Sequence, residues 1–301
     1  MHGRPDNVPE IVSALEDCAT NISAWCVAKR LELNAEKTGV LWFGAAANLR
    51  KISSDVSSIR VGSTVVKRKT DIHDLGVMLD AELSMREHVS QTGQSCFHHL
   101  CRLRSVHHCP TSVCIIAFVL LRLDYCNIVL AGLPASTLAP LQWVLHAASL
   151  LVLDLQPHDH ISQALRELHW LLMDKRIKYT VPLGPQGVDW AGTNLHHRHV
   201  SSVQLLSNQR SATNGDYIIP RTRRKLGERA FSVAAPKAWN RLPTELKTSS
   251  CSIDSFKRSS KSFLRAVPAR YEPFWRYCAA PERLHCMDSV EYCKKATSIC
   301  Q

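Results

Sequence analysis

The sequence predicts an α+β protein: a small β-hairpin sheet with one helix, followed by a mainly helical bundle and a poorly ordered basic C-terminal region. Three observations predict it. Apolar residues recur at helical spacing from Ile11. Between Leu31 and Leu79 the texture changes to short runs of β-branched and aromatic residues. From Ser84 the helical period returns and is kept over several long segments. With 45% hydrophobic residues in 301, the chain can bury a core of one large or two modest domains.

In the first element Ile11, Leu15, Cys18, Ile22 and Trp25 share a helical face after Pro9 and Glu10, residues that suit a first turn, and the helix runs to about Ala28. Val40-Leu41-Trp42-Phe43 reads as a strand. Gly62-Ser63 between Ile59/Val61 and Val65/Val66 reads as a hairpin turn, and Leu75, Val77 and Leu79 alternate as one face of a further strand. Ser84 with Glu87 three residues on is a capping-box pattern, after which Met85, Val89, Cys96, Leu100 and Leu103 line one face of a helix. Helices are expected at 110–132, 136–153, closed by Asp154 and Pro157, and 161–168.

After Pro182 the pattern fails. Gly184, Pro185, Gly187 and Gly192, then His196, His197 and His199, keep neither period, as a linker or a segment altered by a past frameshift would. Periodicity returns near Ile218-Ile219 and from Phe231 to Trp239, and 255–264 reads as a short basic helix. The expected divisions are 8–82, 83–181, an irregular 182–217, a basic 218–267 and a disordered tail, 268–301.

The net charge of +11 favours polyanion binding through counterion release, or is simply a solvated basic surface. Twelve cysteines fall well short of the roughly 8–10% of a disulfide scaffold. The N-terminal residues MHGRPDNVPE have no apolar signal-peptide core, so free thiols in a reducing intracellular compartment, cytoplasm or nucleus, are expected. The longest apolar run, 113–121, is far short of the ~20 residues a membrane span needs and reads as a buried helix.

Four fragments, in order, resemble the region that follows the active site in non-LTR (LINE-type) retrotransposon reverse transcriptases. Ile22-Ser23-Ala24-Trp25 through Lys29-Arg30-Leu31-Glu32-Leu33-Asn34 to Lys37-Thr38 resembles the family's last palm segment, with Lys29 where the family usually has Asn. Asp74-Leu75-Gly76-Val77-Met78-Leu79-Asp80 resembles its primer-grip hairpin. Leu103-Arg104-Ser105-Val106, Arg122-Leu123-Asp124-Tyr125-Cys126-Asn127 and Leu168-His169-Trp170-Leu171 resemble thumb helices, continued by Lys175-Arg176-Ile177-Lys178. The last fragment is Pro220-Arg221-Thr222-Arg223 with the stretch from Ala230 to Pro243. The resemblance makes 8–82 a palm remnant, 83–181 a thumb-like region and 218–267 a C-terminal extension.

The resemblance implies RNA-directed DNA polymerisation, with Mg2+ held by paired aspartates in a Tyr/Phe-Ala-Asp-Asp motif just before the first helix. That motif is absent from these residues. A truncated remnant, inactive alone and needing no cofactor, is therefore expected, with a domesticated nucleic-acid-binding or protein-interaction module as the alternative. No small-molecule substrate is evident, and oligomeric state is not legible. Asp71, Asp74 and Asp80 are expected as solvated hairpin ends rather than metal ligands, with Asp80 aiding the turn before Ser84.

The run Cys96, His98, His99, Cys101, His107, His108, Cys109 lacks a C-x2-C pair and points to several helix faces, so zinc is not expected; nor do Cys278, Cys286, Cys293 and Cys300 form a zinc spacing. The implied primer-grip residues are Leu75, Gly76, Val77, Leu79 and Asp80. Template–primer backbone contacts, RNA or DNA, are expected of Arg102 and Arg104, beside His107 at a helix end, and of the cluster Arg221, Arg223, Arg224, Lys225 and Arg229. Lys257, Arg258, Lys261 and Arg265 follow that cluster. Trp25, Trp42, Trp143, Trp170 and Trp239 fall in apolar patterns and are expected in the core rather than as stacking platforms. Exposed sheet and helix faces make residues 40–79 an expected aggregation liability.

Overall fold

The computed structural model describes residues 7–34, 37–52, 58–62, 64–105, 111–156, 159–186, 214, 216–222, 227–248 and 252–266. The chain divides into two units, Met1–His88 and Val89–Gln301. The first holds the strands and the second is helical. The fold class is α+β, mainly helical with antiparallel hairpins, as the sequence predicts.

In the first unit α1 (Val8–Ala28) starts with Pro9 and Glu10 in its first turn. It stops where Arg30 turns left-handed, at φ 57°, and Leu31 N–H returns to the Cys26 carbonyl at 2.8 Å. A single turn, α2 (Ala46–Leu49), follows. Strand β1 (Ile59–Val61) pairs with β2 (Thr64–Val66), Ile59 opposite Val66, across a turn whose Gly62 has φ +60°. Strand β3 (Asp71–Asp74) pairs with β4 (Val77–Asp80), Asp71 opposite Asp80. The strands thus form two separate hairpins rather than one sheet. Ile59, Val61 and Val66 pack against Val12, Leu15 and Ala19 of α1 and against Leu33 and Val40. Glu16 ties helix to hairpin by accepting the Arg60 N–H at 2.8 Å.

Three expectations fail in this unit. Val40-Leu41-Trp42-Phe43 is not a strand: only Val40 pairs, in a single parallel bridge to Arg68, because Arg68 and Lys69 are themselves the connection between the hairpins. Leu75 is not on a strand face. It and Gly76 both have positive φ, 45° and 84°, and form the two-residue turn, which leaves Leu75 85% exposed. Trp25, expected in the core, is 58% exposed, with Ile22, Val27 and Leu31 also exposed.

Helix α3 (Arg86–Arg104) opens on Asp80 and Ser84: Asp80 Oδ2 accepts the Ser84 N–H and Oδ1 the Met85 N–H, both at 2.8 Å, and Ser84 Oγ accepts the Arg86 N–H at 3.4 Å. The expected role of Asp80 in this turn is therefore what the structure has. The unit division falls after His88, within α3.

The second unit continues α3 from Val89. The helix expected at 110–132 is broken into α4 (Thr111–Ile115), a π-helical turn (Ile116–Leu120) and α5 (Leu121–Asp124). It ends because Tyr125 is extended and Cys126 left-handed, at φ 54°, and a 3-10 turn (Asn127–Leu130) follows. Helix α6 (Ala135–Leu153) buries Leu138, Leu141, Val144, Leu145 and Ala148 and packs with α4, α7 (Ile161–Glu167) and α8 (Met173–Gln186). Among the described residues α6, not 113–121, is the helix long and apolar enough to cross a membrane by length and composition alone, and much of it is buried inside this unit.

Helix α8 continues to Gln186 through Pro182, where the sequence pattern ends at 181: a proline removes one helical N–H but keeps a helical φ. Residues 187–213, which cover most of the expected irregular segment, and the tail 268–301 lie outside the described residues.

The basic extension folds as a short 3-10 turn (Gly227–Arg229), α9 (Phe231–Asn240), α10 (Thr244–Thr248) and α11 (Ile253–Ala266). Trp239, as expected, is core: it stacks on Phe256 at 5.7 Å and meets Tyr217 edge-on at 5.5 Å, with Leu242, Leu246 and Phe263 around them. Asn240 clamps the Tyr217 backbone, accepting its N–H and donating to its carbonyl, each at 2.9 Å. Lys247 pairs with Asp216 at 2.6 Å.

Candidate nucleic-acid interface

The residues expected to contact a template–primer are divided between the two units. In the first, Leu75 and Gly76 form the tip of the β3–β4 hairpin and Val77, Met78, Leu79 and Asp80 its second strand. Val77 is buried, Leu79 half-buried, and Asp80 is spent on the entry to α3. Behind β4, His88 Nδ1 faces the Met78 N–H at 3.4 Å. Burial, then the neighbouring His73, holds His88 below the usual histidine range.

A shallow concave surface lined by Ala14, Asp17, Cys18, Asn21, Ile22 and Trp25 lies along one face of α1.

In the second unit Arg102 and Arg104 are exposed in the last turn of α3, where cations suit the negative end of the helix dipole. Ser105 Oγ donates to the Arg102 carbonyl at 2.7 Å and closes the helix. One turn back His99 stacks on Phe118 at 5.6 Å, with 21° between the ring planes, and His98 meets His99 edge-on. His99 is held below the usual histidine range by burial first, then by Arg122, His98 and Arg102, so four cationic or cation-forming side chains share this surface. Arg122 is anchored to Ser95 Oγ at 3.1 Å. None of the ion pairs among the described residues draws on this group.

Of the C-terminal cluster, Arg221 and Arg229 are among the described residues. Arg221 is exposed, whereas Arg223, Arg224 and Lys225 lie outside the described residues. Arg229 is half-buried and serves the fold: its Nη2 donates to the Val129 carbonyl at 2.9 Å. Gly132, at φ +75°, lets it pass, since a Cβ there would sit 3.2 Å from Arg229 Cγ.

Sequence reasoning missed the polar hub of this unit. Asp124, at the end of α5, accepts Arg176 of α8 in a bidentate pair, Nε to Oδ1 at 2.8 Å and Nη2 to Oδ2. Asn127, 1% exposed, donates Nδ2 to Oδ1 at 3.0 Å. The three residues lie in two fragments noted for their resemblance, Arg122–Asn127 and Lys175–Lys178, and a charged pair of complementary residues in otherwise apolar helices was the available signal.

Cys96 is fully buried and its thiol is pushed up to about 12 by burial, so it carries no thiolate at neutral pH. Among the described residues no three metal-ligating side chains converge; His107, His108 and Cys109 lie outside them. His146, buried in α6 beside Gln142 at 2.9 Å, is pushed down to about 3 by burial and is a neutral core residue. No family model, curated protein or solved structure matches the chain.

Proposed function

We propose that these residues derive from the post-catalytic part of a non-LTR reverse transcriptase, do not polymerise DNA by themselves, and act as a nucleic-acid-binding module. The observation that carries the binding reading is the cationic surface at the end of α3. Arg102 and Arg122 stand there with His98 and with His99, which stacks on Phe118, outside the ion pairs of the described residues, and Arg104 follows in the same last turn on another face of the helix. Such a surface suits phosphate contact with tolerance of sequence. The ordered fragments from Ile22 to Pro243 support the derivation, and the lack of a paired-aspartate motif supports the absence of polymerisation by these residues. An intact family member would supply Mg2+ through carboxylates these residues do not carry.

The test is fluorescence anisotropy of the full chain with an RNA–DNA hybrid across a salt series, beside an Arg102→Gln/Arg104→Gln variant and one neutralising Arg221, Arg223, Arg224 and Lys225. Affinity should fall linearly with salt on logarithmic axes, and loss of two phosphate contacts should flatten the slope by about 1.5–2. A folded chain that binds no hybrid at low salt ends the binding reading. Primer extension by the same chain with Mg2+ would end the non-polymerising one.

A further inference from the structure

We infer that α11 is a phosphate-tracking helix, whose Lys257–Lys261–Arg265 edge beside Arg176 takes the sugar–phosphate backbone of a nucleic-acid strand. The inference rests on the nucleic-acid reading above and assigns it a second surface, made of residues outside the sites the resemblance implies.

Lys257, Lys261 and Arg265 are spaced i, i+4, i+8 on one helix, so their stems rise about 6 Å apart and span about 12 Å. That is the rise of about three to four nucleotides in one duplex strand, at about 3.4 Å each. A second stripe at the same spacing, Phe256, Ser260 and Leu264, is buried, and Phe256 stacks on Trp239. The buried stripe fixes the helix; the basic stripe runs one residue further round it.

Around Lys261 and Arg265 the basic stripe is short of negative charge, whereas Asp254, in the first turn of α11, stands three residues before Lys257. Asp124 has both oxygens engaged, by Arg176 and Asn127. Lys261 is half-buried within reach of Arg176, Arg265 and Asp124. Its ammonium is held below the usual lysine range by burial first, then by Arg265 and Arg176, against Asp124 alone. Three cations and one carboxylate leave a local charge of about +2. Arg265 is held in place by donating Nη2 to the His169 carbonyl at 2.8 Å. Successive phosphate diesters, with one negative charge each, supply the missing charge, each accepting from a neighbouring side chain of the edge.

An anionic membrane is the other polyanion a basic helix can meet, but an interfacial helix must insert its apolar face. In α11 that face is already in the core, through Phe256 and Leu264. A strand of nucleic acid asks nothing of it.

The experiment uses the full chain, an RNA–DNA hybrid and a salt series, with Lys257→Gln/Lys261→Gln/Arg265→Gln set against the wild type and against Arg102→Gln/Arg104→Gln. The α11 variant should flatten the salt slope by about 2–3, one phosphate contact per side chain. Lys257→Arg/Lys261→Arg, which keeps the charge, should restore the slope and so separates loss of contact from loss of fold. In the wild type, bound hybrid should protect Lys257 and Lys261 from acetylation.

A wild type that binds no hybrid overturns both this inference and the reading beneath it. Binding with an unchanged slope in the α11 variant, or with both lysines still open to acetylation, overturns the inference alone. Tighter binding to phosphatidylserine vesicles than to the hybrid, lost in the same variant, would assign the edge to lipid and overturn it too.

Discussion

Both units leave large apolar residues exposed, Val113, Ile116, Phe118 and Leu121 in Val89–Gln301 among them, but they differ in how much they bury. In Met1–His88 three strand residues, Ile59, Val61 and Val66, form the buried cluster, while Ile22, Trp25, Val27, Leu31, Phe43 and Val65 stay exposed. In Val89–Gln301, α6 alone buries more large side chains than that, and Trp239 anchors a further cluster. Two-stranded hairpins are marginal without a surface to pack on, and α1 supplies only one face. The difference teaches that hydrophobic content does not set stability; what matters is whether apolar residues from several elements converge. The surfaces proposed to bind nucleic acid stand on the second unit, although basic residues are spread over both.

The largest test of this contrast is Leu145→Ala, which empties a fully buried site in α6. A loss of about 3–5 kcal/mol is expected in urea unfolding followed by circular dichroism. A loss below about 1 kcal/mol would mean that the helical unit is loosely packed.

Next is acid. His146 is neutral in the fold with its pKa pushed down to about 3, whereas in the unfolded chain it takes a proton near 6.5. The unfolded state therefore binds more protons between those values. Stability is full above pH 6.5 and falls as pH drops towards 3, by about 1.4 kcal/mol per pH unit. The slope should be shallower in His146→Leu, and equal slopes would remove His146 from the account. His88 acts in the same direction in the first unit, through burial and then His73.

The smallest effect is expected where sequence expects a large one. Trp25→Lys should change stability by less than about 0.5 kcal/mol, because the ring is 58% exposed, and should reduce self-association in sedimentation. A loss of several kcal/mol would show that α1 buries this face after all.

The sequence made the helices legible wherever the period is long, as in α1, α3, α6 and α11, and made the hairpins legible from Gly62 and from the Leu75–Asp80 alternation. The alternation also misled. Leu75, Val77 and Leu79 have strand parity, yet Leu75-Gly76 is the turn, because Gly76 readily takes the positive φ such a turn needs. Trp25 misled for a related reason: helical spacing marks a face but not what covers it.

Of the candidate site, the α3 arginines were legible as a helix end. The pairing of Asp124 with Arg176, 52 residues apart, was not, because no local period encodes a contact across the fold. Arg229 looked like one more charge in a basic run until Val129 claimed it.

The π turn between α4 and α5 has a consequence for the length of the chain. Such a turn carries one residue more than an α-helical turn and keeps the helix in phase on either side. One residue is thus spare between Ile116 and Leu120, and its deletion would leave a regular helix with Asp124 still aimed at Arg176. The same deletion within α6 would turn everything beyond it by about 100° and scatter the buried stripe. The protein therefore has a place where its reading of length is elastic, one helix away in sequence from a place where it is not.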